Sequence, residues 1–101
     1  MSLQQYLSKI VRIRPNVPGI DILPQFRYAG RVKLVTDDFL TLEPYLTYLN
    51  DDLNSEPEKL RRLLEAAEKD LAKLSNRANI NQIRREITLN KNVIATIEEL
   101  V

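Results

Sequence analysis

Apolar and polar positions change rhythm several times along the chain. Leu3, Tyr6, Leu7 and Ile10 recur at i, i+3, i+4 and i+7, so residues 2–9 are predicted to form a short helix with Ser2 as its N-cap. From Ile10 to Arg14 the period drops to two. Ile10, Arg12 and Arg14 face one way and Val11 and Ile13 the other, as in a strand. Pro15, Pro18 and Gly19 end it, because proline cannot donate to a ladder and glycine permits a turn. A second strand region covers about 20–35, interrupted near Pro24, and Gly30 within it marks a sharp bend or bulge. Asp37-Asp38 reads as a turn, and Phe39 to Glu43 as a third short strand ending before Pro44.

Residues 57–75 switch to a helical seam. Leu60, Leu64, Ala67, Leu71 and Leu74 follow a 4-3-4-3 spacing, with Arg61, Arg62, Glu65, Glu68, Lys69 and Lys73 on the other faces. Ser55 and Glu58 have capping-box spacing, Pro57 lies in the first turn, and Asn76 and Asn79 are stop residues. Such a face must bury its leucines, either on the chain's own sheet or on a partner. Residues 44–54 fit either an extension of the third strand or a second helix. Period two then returns. Arg85, Ile87 and Leu89 alternate with polar residues, and Val93 to Ile97 is β-branched apart from Ala95. The polar Asn90-Lys91-Asn92 between them makes 84–90 and 93–100 a hairpin, although Ile83, Ile87, Ile94 and Ile97 also fit a helical period.

The length of 101 residues predicts one domain, 1–101, large enough for a core of its own. The chain has neither cysteine nor histidine, which removes disulfides, thiolate metal sites and the commonest general base. No apolar run approaches the ~18–20 residues of a membrane span, and residues 1–12 lack a signal-peptide profile, so the expected location is cytoplasmic, away from the membrane. The net charge of +1 hides a sorting: residues 1–36 carry six bases against Asp21, and residues 37–70 carry ten acids against four bases. The sorting suggests distinct basic and acidic faces, with an ordinary solvated surface as the plainer alternative.

Chemistry is sparse. The paired acids Asp37/Asp38, Asp51/Asp52 and Glu98/Glu99 are adjacent, so on a strand they would point to opposite faces. Asp37 and Asp38 could ligate a divalent cation through oxygen, but an exposed acidic turn is the plainer account. The four serines have no histidine to activate them, and two glycines cannot build a phosphate loop. No catalytic residue, metal site or cofactor is expected, and the chain is not read as an enzyme.

The stretch Gly30-Arg31-Val32-Lys33-Leu34-Val35-Thr36-Asp37-Asp38-Phe39-Leu40-Thr41-Leu42 resembles the first motif of the Sm-like family, which includes the bacterial host-factor RNA chaperones. Asp37-Asp38-Phe39 is similar to the Asp-Gln-Phe of the bacterial members. Asn90-Lys91-Asn92 followed by Val93-Ile94-Ala95-Thr96-Ile97 is similar to the second motif, where those members carry Tyr-Lys-His. Leu3-Gln4 resembles their Leu-Gln. The glycine-to-aspartate spacing is one residue longer than in the family. The resemblance covers about 1–43 and 84–101 and leaves 44–83 as a helical insertion between the third and fourth strands.

This resemblance implies a mainly β fold: a strongly bent five-stranded antiparallel sheet or small barrel, with an N-terminal helix and the inserted helix at about 57–75. It implies a closed homo-oligomeric ring, on the order of five to seven copies, that binds single-stranded RNA near its pore in an RNA-chaperone or RNA-metabolism role. Carried over by position, Phe39 would stack on a base, Lys91 would contact base or phosphate, and Gln4 would read a base edge. Asn90 shares that turn, Asn92 stands for the histidine, and Asp38 stands for the glutamine. The competing reading is a ring-forming or coiled-coil interaction module that does not bind RNA.

Overall fold

The computed structural model describes residues 3–16, 26–49, 56–73 and 83–100. The fold is mainly β: among the described residues, six antiparallel strands form one sheet, with one α-helix. The strands are β1 (Ile10–Pro15), β2 (Phe26–Val35), β3 (Phe39–Leu49), β4 (Ile83–Arg84), β5 (Ile87–Asn90) and β6 (Ile94–Glu99), and the helix is α1 (Pro57–Glu68). The sheet order is β4-β3-β2-β1-β6, and β5 lies on the same edge of β3 as β4. The strand expected over 84–90 is therefore two short pieces, which brings the count to six rather than five.

The bend is built where β2 and β3 cross. Gly30 faces Val11 on one side and Tyr45 on the other. A Cβ there would lie 2.6 Å from the Pro44 carbonyl oxygen and 3.0 Å from the Cβ atoms of Leu42 and Tyr45. Only glycine lets the strands approach this closely. The register steps from Gly30↔Tyr45 to Val32↔Leu42, so Glu43 and Pro44 together oppose Arg31. That bulge corrects the expected end of the third strand before Pro44. A proline at a bulge breaks no ladder bond, and β3 continues to Leu49.

The expected helix over 2–9 is also corrected. The chain makes one 3-10 turn, Gln4–Tyr6, and leaves helical geometry at Leu7. Ser8 takes a positive φ of 68°, which lets its N–H donate to the Val32 carbonyl and steers the chain into β1. Leu3 and Tyr6 still pack on the sheet, while Leu7 is exposed.

Two apolar clusters lie on opposite faces of the strands. Val11, Ile13, Val32, Leu40, Leu42, Tyr45 and Leu89 form one, built from strands alone. Ile10, Ala29, Leu46, Tyr48, Ile83 and Leu100 form the other, closed by Leu60 and Leu64 of α1 with Ala67 beside them. Leu60 and Leu64 of the leucine seam are thus buried on the chain's own sheet. Arg31 fixes the end of the helix, its Nε 2.8 Å from Glu68 Oε2 and a terminal nitrogen 2.7 Å from the Ser8 carbonyl. The helix is shorter than the expected 57–75. It ends at Glu68, a 3-10 turn follows at Leu71–Lys73, and its N-cap is Glu56, which makes no side-chain capping bond. Ser55, Leu74, Asn76 and Asn79, and the strand reading of 20–25, lie outside the described residues.

Candidate nucleic-acid interface

Two turns form one end of the sheet. In the first, Thr36 Oγ1 accepts from the backbone N–H of Phe39 at 3.0 Å and of Asp38 at 3.3 Å, while the Thr36 N–H donates to the Phe39 carbonyl. This closed Thr-x-x-Phe turn leaves the Asp37 and Asp38 side chains outside. In the second, Asn90 Oδ1 accepts from the Asn92 N–H at 2.9 Å and caps the 3-10 turn Lys91–Val93. Asparagine suits this Asx turn because its side chain reaches its own backbone two residues on.

Strand pairing brings the two turns together. Phe39 and Asn90 face each other at the end of the β3–β5 ladder, and the Lys91 N–H donates to the Asp38 carbonyl at 2.8 Å. Lys91 Nζ lies 3.8 Å from Asp38 Oδ1. Of the sequence-predicted site residues, Asp38, Phe39, Asn90, Lys91 and Asn92 are thus neighbours. Phe39 is 45% exposed, available for stacking rather than committed to the core.

Beside the joined turns lies an open cleft of about 550 Å³. Leu3 and Gln4, the turn from Val35 to Asp37, Lys91 and Asn92, and Ile94 to Ile97 of β6 form its walls. Gln4, Lys91 and Asn92 therefore share one cavity. Asp38, Phe39 and Asn90 belong to the same turns but do not line it. Sequence reasoning missed Thr36 and Asp37 as cleft residues. The signal was the Thr36–Phe39 spacing, which forces Asp37 to the outside of its turn.

The electrostatics are mixed. Lys91 pairs with Asp38, Asp37 lines the same cleft, and a salt bridge this exposed contributes little energy. Elsewhere most bases are matched. Arg12 pairs with Glu98 and Lys9 with Glu99, so the basic face of β1 is partly neutralised. Lys33 Nζ lies 3.3 Å from Glu43 and 3.4 Å from Glu86. Those hydrogen bonds, Glu43 first, hold the Lys33 ammonium above its usual pKa. Glu86 is held below the usual carboxylate value by hydrogen bonding with Glu43 and then with Lys33. Among the described residues no group of three or more acids is arranged to hold a metal ion, and no helix is long and apolar enough to cross a membrane.

No protein-family model matches the chain, and neither the curated proteins nor the solved structures contain a match.

Proposed function

We propose that this chain is an Sm-like, ring-forming subunit that binds single-stranded RNA at its two joined turns. The observation that carries the reading is the pairing of Phe39 with Asn90, reinforced by the bond from Lys91 to Asp38. It sets an exposed aromatic ring, a cation and amide side chains at one end of a bent sheet. Those are the groups that single-stranded RNA recognition combines. The strand order supports the same family. A terminal β6 lies beside β1, a bent β2–β3 pair follows, and β5 joins β6 through a single 3-10 turn.

The ends of the sheet support assembly. β6 pairs only with β1, and β5 only with β3, among the described strands. Free edges of this kind invite pairing, and a head-to-tail contact between β5 and the next copy's β6 closes into a ring when the rotation is right. In such a ring, turns from adjacent subunits would line a shared opening. The acids Asp37 and Asp38 favour the second reading, an assembly module without RNA.

Light scattering and RNA titration test both. A ring has a solution mass that is a multiple of 11.7 kDa, and RNA affinity falls as salt rises. Phe39→Ala costs about 1–3 kcal/mol of binding per stacked base. Lys91→Ala weakens binding and flattens its salt dependence. A monomer at every concentration overturns the ring. A ring with no RNA affinity leaves the assembly module.

A further inference from the structure

One carboxylate, that of Asp37, lines the cleft. Among the described residues it has no ion-pair or hydrogen-bond partner, whereas Asp38 is engaged by Lys91. A phosphate is repelled next to an unpaired carboxylate. The edge of a base is not, provided it offers donors, because an ionised carboxylate only accepts and holds two acceptor oxygens side by side.

The four bases differ in what they present. Guanine alone offers two adjacent donors on its Watson–Crick edge, N1–H and the N2 amine, next to the acceptor O6. Uracil offers N3–H between two carbonyl oxygens that Asp37 would repel. Adenine and cytosine each place one amine beside a bare ring nitrogen. The same cleft holds the donors that O6 needs, the amide of Asn92 and the ammonium of Lys91. Its volume of about 550 Å³ lies within the range of small-ligand sites, about 300–1,000 Å³.

We propose that the cleft selects guanine in single-stranded RNA, with Asp37 accepting from N1–H and N2–H and with Asn92 and Lys91 donating to O6. This rests on the RNA-binding reading above. The phosphates of the strand run outside the cleft, away from Asp37, and Phe39 is free to stack on a neighbouring base.

The test uses the full chain and labelled uridine hexamers carrying one central guanosine, inosine, adenosine or cytidine, read by fluorescence anisotropy. The guanosine hexamer is expected to bind roughly 5- to 150-fold more tightly than all-uridine RNA, the range for a bidentate base contact. Inosine, which lacks the N2 amine, loses most of that gain. Asp37→Asn abolishes the preference while leaving all-uridine binding unchanged or stronger. Asp37 is exposed in a turn, and an unchanged circular dichroism spectrum verifies that the variant folds. Binding of every hexamer with equal affinity, or retention of the guanine preference by Asp37→Asn, overturns the base assignment and leaves RNA binding standing. Absence of binding to all hexamers overturns both. Displacement by guanosine monophosphate at the hexamer's own affinity assigns the site to a free nucleotide and overturns the RNA assignment.

Discussion

The two faces of the bent sheet are finished differently. On one, α1 lays Leu60 and Leu64 onto Ile10, Ala29, Leu46 and Ile83, and the cluster is closed from water. On the other, strands alone supply the core, and its margin of Val35, Val93, Ile94 and Ile97 is only partly buried. Three of those marginal residues, Val35, Ile94 and Ile97, also line the cleft. The helix-packed core and the proposed RNA site are therefore separated in space. The helix-covered face can be packed tightly because nothing needs to enter it, while the strand-only face keeps an open end where the two turns meet.

Deleting packing under the helix breaks the closed face with the largest effect. Leu64 is fully buried, so Leu64→Ala is expected to cost about 2–5 kcal/mol, the transfer term plus the cavity. Urea unfolding measures this loss. The joined turns rest on the β3–β5 pairing and the other cluster, so the RNA affinity of the folded fraction should be unchanged. A loss of affinity matching the loss of stability would show that the two faces are not separate.

Gly30→Ala attacks the strand-only face. The added Cβ would meet the Pro44 carbonyl at 2.6 Å, and backbone cannot yield as a flexible side chain does. Overpacking of this kind costs about 1–3 kcal/mol. Here the bend itself must open, which shifts the Phe39–Leu42 part of β3, the part paired with β5, against the rest of the sheet. Stability and RNA binding should therefore fall together, unlike in Leu64→Ala. Urea unfolding and anisotropy on one preparation separate the cases.

Much of this division was legible in the sequence. The change of hydrophobic period at residue 57 marked the helix, its leucine spacing marked the face it buries, and Gly30 marked the bend. The errors have physical causes. Pro44 looked like a terminator because a bulge, which frees its missing N–H from the ladder, is a property of two paired strands and not of one segment. The first turn looked helical because Leu3 and Tyr6 do pack on one side, but the Ser8–Val32 bond that ends it joins residues far apart in the chain. The individual residues of the turns were legible. Their meeting was not, because it depends on the Phe39↔Asn90 register.

The smallest expected effect sharpens the description of the closed face. Tyr48 is 7% exposed, and its hydroxyl lies near the Arg12 guanidinium without a well-formed hydrogen bond to any described residue. A buried hydroxyl without a well-formed hydrogen bond carries a desolvation cost that the Arg12 guanidinium offsets only in part, so Tyr48→Phe should be neutral or stabilising by up to about 1 kcal/mol. Burial, opposed by the nearby Arg12 guanidinium, raises the Tyr48 pKa above its ordinary value of 10.0. Burial raises Tyr28 as well, with the Tyr45 hydroxyl adding to it. A raised folded-state pKa means that the native state holds its proton longer than the unfolded chain. The contribution is fully present below pH 10.0 and declines as pH rises through the folded value. Tyr48→Phe removes one of these titrations, so its stability should fall less steeply above pH 10.0 than that of the parent chain, with Tyr28 retaining the rest. Thermal melts from neutral to strongly alkaline pH measure both effects. A Tyr48→Phe protein that is less stable at neutral pH and equally sensitive to alkali would show that the hydroxyl is satisfied after all, and that this face is closed by polar as well as apolar contacts.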